Sequence, residues 1–304
     1  MFCNGKPAAR LKMRDSCSVR LDSCAECDLC SYPAGDQGSG KSILLLQAVA
    51  QAIASGYIVI YAPRGESNSR LELTAAQSWT NSSTPYAYHA ESKTFHQPAL
   101  ASSILDNLVK VHGSKLAELK MEGEDLLSYI KSVARDETRS VQGLEKVMEA
   151  LGKQTQWVHD TMQMSDDRFP VLFAIDEVHA LFTMSEYRSP NYELIQSYHL
   201  STPRLALDYL TGRKTFARGL TLSAYSHTTP NLGFSTDFLY ALELPSVDPI
   251  TPYAKFEQTH LAHASSGMKK IAVPFGMTTK EAVGMFEIWS RKGLVPKGEF
   301  PCTY

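Results

Sequence analysis

Residues 35–42 read Gly35-Asp36-Gln37-Gly38-Ser39-Gly40-Lys41-Ser42 and match the phosphate-loop pattern G-x-x-x-x-G-K-[ST]. In this pattern the glycines let successive backbone N–H groups point at a phosphate, and the helix that follows adds the positive end of its dipole. The lysine reaches the β- and γ-phosphate oxygens, and the serine hydroxyl coordinates Mg²⁺. The predicted nucleotide contacts are therefore Gly35, Gly38, Ser39, Gly40, Lys41 and Ser42, with Ser42 also a Mg²⁺ ligand.

The residues that follow the loop predict a helix and then a strand. Residues 43–55 carry apolar side chains on nearly every face and precede Gly56, which predicts a buried helix with a glycine C-cap. Residues 57–62 are β-branched or aromatic except for the last, and Pro63 follows them, as expected of a buried parallel strand. Loop, helix and strand in this order make most of a βαβ unit.

An acidic pair follows a second buried strand, predicted at residues 170–175. Asp176 and Glu177 come directly after it, where open α/β sheets bind their ligands. Asp176 is the predicted partner of Ser42 in holding Mg²⁺, and Glu177 is the predicted catalytic residue, polarising water for attack on a γ-phosphate. The pairing resembles that of the additional-strand, AAA+-like class of P-loop NTPases, which implies an α/β fold with a parallel sheet, helices on both faces and a helical insertion.

The remaining chain divides around these motifs. Residues 65–98 are polar and predict a loop excursion, and residues 99–169 show helical periodicity with breaks near Gly113 and Gly123. Strands are predicted at 219–226 and 271–275, and Thr278-x-x-Glu281 predicts the start of a helix that runs to about residue 291. The polar residues that end the 219–226 strand occupy the place of a γ-phosphate sensor: Ser223, Ser226, His227 and Thr228.

Composition excludes several classes of protein. The chain has 304 residues, 43% of them hydrophobic, which allows a substantial core. A net charge of −2 argues against binding nucleic acid over most of the surface, although it allows a local basic patch. No stretch approaches the about 18 apolar residues of a membrane span. The absence of any guanine-reading Asn/Thr-Lys-x-Asp motif disfavours a Ras-like GTPase.

The six cysteines lie almost entirely at the N-terminus, so a disulfide framework is not expected. Residues 1–34 are predicted to be a poorly ordered, Cys-rich leader, and residues 25–32 make a poor strand. Cys24, Cys27 and Cys30 have the spacing of metal ligands but lack a nearby fourth ligand, which leaves metal binding open.

Several stretches beyond the loop resemble the death-associated protein 3 family, P-loop proteins of the mitochondrial small ribosomal subunit, and its fungal members most. The resemblance covers residues 35–290 and is carried by residues 38–50, 56–63, 81–86, 187–190, 200–205 and 214–219. It implies a mitochondrial matrix protein held by ribosomal protein neighbours, with ribosomal RNA contact limited to a local basic patch. It also implies a bound purine nucleotide, for which the resemblance favours GTP or GDP and leaves ATP open, with Lys41, Ser42 and Asp176 at the family's positions.

The sequence departs from the family pattern in three places. Only 34 residues precede Gly35, residues 65–77 interrupt an expected join, and the chain stops at Tyr304. We therefore expect an imperfect gene model, in which residues 291–304 are a truncated tail. If the sequence is correct as written, the strand before the loop is missing or makeshift.

Two other functions are compatible with the motifs. A stand-alone AAA+ or signalling ATPase would use Glu177 for hydrolysis and an arginine finger, for which the candidates are Arg204, Arg213 and Arg218. A damaged P-loop fold without nucleotide is the third interpretation. The order of preference is a nucleotide-binding ribosomal protein that is at most a slow NTPase, then the ATPase, then the empty fold.

Overall fold

The computed structural model of the protein describes residues 29–34, 39–62, 79–80, 84–121, 124–153, 169–225, 235–244, 253, 255–273 and 278–293. Its strands are β1 (Leu29–Ala34), β2 (Ile58–Ala62), β3 (Ala87–His89), β4 (Thr94–His96), β5 (Lys120–Met121), β6 (Glu124–Asp125), β7 (Val171–Ile175), β8 (Met184–Arg188), β9 (Leu194–Gln196), β10 (Gly219–Ser223) and β11 (Met268–Ala272). Its helices are α1 (Lys41–Ala54), α2 (Pro98–Glu118), α3 (Leu126–Ala134), α4 (Glu137–Gly152), α5 (Ser201–Leu210), α6 (Thr236–Ala241), α7 (Gln258–Ser265) and α8 (Thr279–Arg291).

The centre of the fold is a five-stranded sheet in the order β11-β1-β10-β7-β2. All four neighbouring pairs are parallel. The predicted strands at 57–62, 170–175 and 219–226 are confirmed as β2, β7 and β10, and the predicted α/β class is confirmed with them. The strand predicted at 271–275 lies earlier, at 268–272.

Strand β1 corrects two of the sequence-based expectations. Its six residues belong to the segment assigned to a leader, and the strand before the loop was expected to be missing or makeshift, yet β1 pairs with β10 on one side and β11 on the other. The sequence Leu-Cys-Ser-Tyr-Pro-Ala has weak strand propensity, which pairing on both sides overrides. Pro33 is tolerated because pairing with β10 ends at Ser31.

Helices cover both faces of the sheet, as predicted. Alternate residues of β2 and β7 enter two separate apolar clusters, as expected of strands whose side chains alternate between faces. One cluster contains the inner side of α1, and the other contains residues of α2, α3, α4 and α5.

Helix α1 is not buried on every side, contrary to the sequence-based expectation. Its inner residues, such as Leu45 and Ala52, are almost fully buried against the sheet. Ile43, Leu46 and Ile53 are instead 59%, 47% and 49% exposed. A sheet contacts only one side of a helix, so a predominantly apolar sequence cannot by itself bury the opposite side. The predicted glycine after the helix is confirmed, since Gly56 adopts a φ of 84°.

The helical segment predicted at 99–169 contains α2, α3 and α4 over its described part, and α2 kinks at His112. This insertion covers the outer edge of β2. The Val59 N–H donates to His112 Nε2 at 2.9 Å, and Lys115 Nζ donates to the Gly56 and Tyr57 carbonyl oxygens. Because β2 ends the sheet, these contacts satisfy backbone groups that an open edge would leave unpaired.

The excursion predicted at 65–98 includes the β3–β4 hairpin, which contacts a second hairpin formed by β8 and β9. Tyr86 donates its hydroxyl to the Arg188 carbonyl oxygen, and its ring lies 4.7 Å from the ring of Tyr187. No helix within the described residues is long and apolar enough to span a bilayer.

Helix α7 places a buried histidine beside two arginines. His263 is 3% exposed, and its Nε2 lies 3.5 Å from Arg213 Nη1. Burial, together with the positive charges of Arg213, His260 and Arg204, lowers the pKa of His263 to about 4. Burial also lowers the pKa of His112 and of His260. Protonation of these side chains therefore opposes folding.

Acid should destabilise the protein through these histidines. The unfolded chain takes up a proton at residue 263 near the ordinary histidine pKa, whereas the folded chain does so only near 4, so stability is lost as pH falls between those values. We expect the free energy of unfolding to decrease by about 2 kcal/mol from pH 7 to pH 5 through His263 alone. Urea unfolding at several pH values should show a shallower pH dependence in His263→Gln than in the wild type. Equal slopes in the wild type and His263→Gln would contradict this expectation.

Candidate phosphate-binding site

The described part of the loop ends in a conformation that suits glycine. Gly40 precedes α1 with a φ of 87°, a left-handed backbone that a residue with a Cβ adopts only at a cost. The Gly40 carbonyl oxygen accepts a hydrogen bond from the Leu44 N–H at 2.9 Å, which closes the first helical turn. The N-terminus of α1 is thereby placed at the end of the loop. Gly35 and Gly38 lie outside the described residues, and their role stays a prediction.

The structure brings Ser42 and Asp176 together across 134 positions of sequence. Ser42 Oγ donates to Asp176 Oδ1 at 3.0 Å. Asp176 follows the last residue of β7, its N–H donates to the Ala62 carbonyl oxygen, and its side chain is almost fully buried. Asp176 Oδ1 also accepts the Glu177 N–H at 2.9 Å. The carboxylate is therefore held in one orientation beside the start of α1.

Lys41 lies beside this pair and is 5% exposed. Its Nζ is 3.5 Å from Ser39 Oγ and 4.8 Å from the centroid of the Tyr225 ring. Ser39 is buried as well. The predicted residues Ser39, Lys41, Ser42 and Asp176 thus surround one end of α1.

Glu177 is fully buried and has a φ of 55° and a ψ of 43°. This left-handed conformation is uncommon for a residue with a side chain and costs roughly 1–2 kcal/mol. It starts a 3-10 turn at Val178–Phe182, and the Val178 N–H donates to the Ala224 carbonyl oxygen. Strain of this kind concentrates at functional sites. The catalytic role of Glu177 stays a prediction.

Of the sensor candidates, only Ser223 lies within the described residues. It ends β10, pairs with Ile175 and is completely buried. Its hydroxyl has no hydrogen-bond partner among the residues that the structure describes. Buried hydroxyls without a partner are rare, and this one lies beside Ile175, which directly precedes Asp176. The sensor role of Ser223 stays a prediction. Ser226, His227 and Thr228 lie outside the described part.

Two tyrosines at this end of the sheet were missed by the sequence analysis. Tyr225 contacts Lys41, and Tyr61 lies near Asp176. Burial and the negative charge of Asp176 raise the pKa of Tyr61 to about 12. Tyr61 immediately precedes the end of β2, and Tyr225 follows the end of β10. The sequence could have indicated both tyrosines, because they lie at the carboxyl ends of predicted strands, where open α/β sheets bind their ligands.

Ser42 and Asp176 have the chemistry that Mg²⁺ requires. A hydroxyl and a carboxylate are hard oxygen ligands, and Mg²⁺ bound with a nucleotide takes its other ligands from phosphates and water. Within the described ranges, no group of three or more His, Cys, Asp or Glu side chains could hold a metal by itself. Cys24 and Cys27 lie outside those ranges, and Cys30 is in β1.

Two of the arginine-finger candidates are engaged elsewhere. Arg204 Nη1 donates to the Ser92 carbonyl oxygen at 3.4 Å, on the β3–β4 hairpin. Arg213 Nη1 lies 3.9 Å from Asp208 Oδ1. Neither contact involves a residue of the phosphate-binding site.

The sequence profile described as "Mitochondrial ribosomal death-associated protein 3" matches residues 32–300. The chain is also 24% identical over 285 residues to the small ribosomal subunit protein mS29 of Neurospora crassa, covering 86% of this chain and 55% of that protein. It is 26% identical over 215 residues to mS29 of Schizosaccharomyces pombe, covering 65% of this chain and 41% of that protein. The chain thus spans about half the length of the curated relatives it matches.

Proposed function

Because the chain belongs to the mitochondrial ribosomal death-associated protein 3 family, we propose that it is a structural protein of the mitochondrial small ribosomal subunit. In this proposal it resides in the mitochondrial matrix and binds a purine nucleotide with Mg²⁺. Two relatives that carry the name of a small-subunit protein support the ribosomal part. Its neighbours would be mainly ribosomal proteins, since a net charge of −2 provides little excess charge for RNA phosphates beyond a local basic patch.

The strand order supports the P-loop NTPase class. The loop joins β1 to α1, the acidic residue follows β7, and β10 lies between these two strands. An extra strand between the loop strand and the acidic strand is what the additional-strand, AAA+-like class requires. The nucleotide would then bind at the carboxyl ends of β1 and β7, beyond the start of α1.

The observation that carries the nucleotide proposal is the 3.0 Å contact between Ser42 Oγ and Asp176 Oδ1. Two hard oxygen atoms from distant parts of the chain converge at the start of α1, whose first residue is Lys41. In the proposed site, Lys41 binds the terminal phosphates, and Ser42 and Asp176 hold Mg²⁺. Bound Mg²⁺ would neutralise part of the negative charge of the phosphates.

We propose binding rather than rapid turnover. The side chain of Glu177 is completely buried, and Arg204 and Arg213 contact other parts of the fold. An efficient ATPase needs a base that reaches the attacking water and a cation that reaches the developing phosphate charge. Release of inorganic phosphate from GTP or ATP faster than about one per second, in the range of typical enzymes, would favour the stand-alone ATPase.

Nucleotide carried by the purified protein tests the proposed site directly. The full chain is denatured, and the released small molecules are separated by chromatography. We expect GDP or GTP in close to equimolar amount, and at least about tenfold less in Lys41→Ala, because the phosphates lose a charge-assisted contact. Lys153→Ala is the control, since Lys153 is an exposed lysine paired with Glu149. Absence of nucleotide from the wild type, or equal amounts in Lys41→Ala, would count against the site.

The ribosomal part needs a separate measurement. Mitochondrial lysate containing the tagged full chain is separated on a sucrose gradient under conditions that keep the small subunit intact. We expect the protein in the small-subunit fractions, and Lys41→Ala should stay there if neither folding nor assembly depends on the nucleotide. Recovery of the wild type only at the top of the gradient would refute the ribosomal assignment.

A further inference from the structure

The ammonium of Lys41 lies over an aromatic ring that no predicted role accounts for. Its Nζ is 4.8 Å from the centroid of Tyr225, inside the range of cation–π contacts. Both residues are buried, Lys41 to 5% exposure and Tyr225 to 1%. Cation–π attraction is stronger when both partners are removed from water, so this contact should hold the lysine side chain effectively.

The ring is fixed in position by the sheet. The Ala224 N–H donates to the Ile175 carbonyl oxygen at 2.8 Å, and the Val178 N–H donates to the Ala224 carbonyl oxygen at 2.9 Å. Ala224, the residue before Tyr225, is thus hydrogen-bonded to the two residues that flank Asp176 and Glu177. The Phe238 ring also packs against the Tyr225 ring in an edge-on arrangement, with 6.2 Å between the centroids. The ring that contacts Lys41 is therefore held in register with the carboxylate that contacts Ser42.

An aromatic ring suits this place chemically. A ring face attracts an ammonium through its quadrupole and carries no net charge. A carboxylate in the same position would attract Lys41 but would also repel an incoming phosphate. A ring can thus orient the lysine before binding without opposing the ligand. Orientation before binding lowers the entropy lost when the complex forms.

We propose that Tyr225 is a positioning residue of the phosphate-binding site, whose ring face holds the Lys41 ammonium in place for the terminal phosphates of a nucleotide. The proposal rests on the nucleotide-binding part of the proposed function. It requires that the electron density of the ring, and not only its volume, sets the affinity of the site.

Three substitutions separate ring chemistry from packing. Titration of the nucleotide-free full chain with N-methylanthraniloyl-GDP and Mg²⁺ gives the dissociation constant. We expect Tyr225→Leu to weaken binding five- to tenfold and Tyr225→Phe to stay within twofold of wild type. Tyr209→Leu is the matched control, because Tyr209 is an equally buried tyrosine of the same apolar cluster that stacks on Phe216. Equal weakening by Tyr209→Leu would overturn the proposal.

A fluorinated series keeps the ring volume and covers the case in which Tyr225→Leu does not fold. Phenylalanine and its 4-fluoro, 3,5-difluoro and 3,4,5-trifluoro derivatives are placed at position 225. Each fluorine withdraws electron density from the ring face, so the affinity should fall stepwise along the series, to about the Tyr225→Leu value. The same affinity for all four rings would overturn the proposal.

Urea unfolding of the same series provides a readout without nucleotide. The urea midpoint should fall along the series in the protein with Lys41 and stay constant in the Lys41→Met background. If the wild type binds neither GDP nor ADP while the midpoints behave in this way, the ring holds the lysine and the nucleotide part of the proposed function is wrong. Parallel midpoint changes in both backgrounds would show that Tyr225 acts only by packing and would overturn the positioning role.

Discussion

Replacing Asp176 by asparagine is expected to weaken Mg²⁺-dependent nucleotide binding by at least about 100-fold, or about 2.7 kcal/mol. The carboxylate is the only charged group of the Ser42–Asp176 pair, and asparagine keeps its shape while removing its charge. Hard divalent cations bind a neutral amide oxygen more weakly than a carboxylate oxygen. The buried position of Asp176 magnifies the effect, because no water screens the lost charge.

The measurement is titration of the nucleotide-free protein with labelled GDP, in Mg²⁺ and again in excess EDTA. Wild type and Asp176→Asn should differ strongly in Mg²⁺ and much less in EDTA. Asp237→Asn is the matched control, since Asp237 is also buried and accepts the Glu257 N–H at 3.0 Å. It should reduce stability and leave the affinity of the folded protein unchanged. The same loss with and without Mg²⁺ in Asp176→Asn would show that the carboxylate does not act through a metal.

Gly219→Ala is expected to lower the free energy of unfolding by about 3 kcal/mol, the upper range for an overpacked core position. A Cβ on Gly219 would lie 2.4 Å from the Val171 carbonyl oxygen and 2.9 Å from Phe216 Cβ. The first neighbour is a backbone oxygen at the first register pair of the β7–β10 ladder, which cannot move without disturbing that pairing. Glycine is therefore required here by close backbone approach.

Gly284→Ala makes the same chemical change where nothing would contact the added methyl group. Gly284 lies inside α8, and alanine in a helix interior should stabilise the protein by about 0.5–1 kcal/mol. Urea unfolding of the two variants should therefore show effects of opposite sign. A loss below about 1 kcal/mol in Gly219→Ala would mean that the β7–β10 ladder can yield to a methyl group.

The residue pattern was enough to predict which side chains form the candidate site and three of the strands that support them. The apolar run at residues 171–175, directly before Asp176, predicts both a buried strand and the place where a carboxylate follows it, because parallel strands present their carboxyl ends at one edge. The helix after the loop was equally predictable, since Gly40 and Gly56 bound a predominantly apolar segment. The contact between Ser42 and Asp176 could not be predicted, because 134 positions of sequence separate the two residues.

Tertiary structure alone decided three matters. Residues 29–34 become a central strand because pairing with β10 and β11 satisfies their backbone, although their side chains favour no strand. The outer side of α1 stays exposed because one sheet can cover only one side of a helix. Tyr225 contacts Lys41 because the hydrogen bonds of Ala224 to Ile175 and Val178 continue the pairing past the end of β10. Such long-range pairing cannot be inferred from the local sequence.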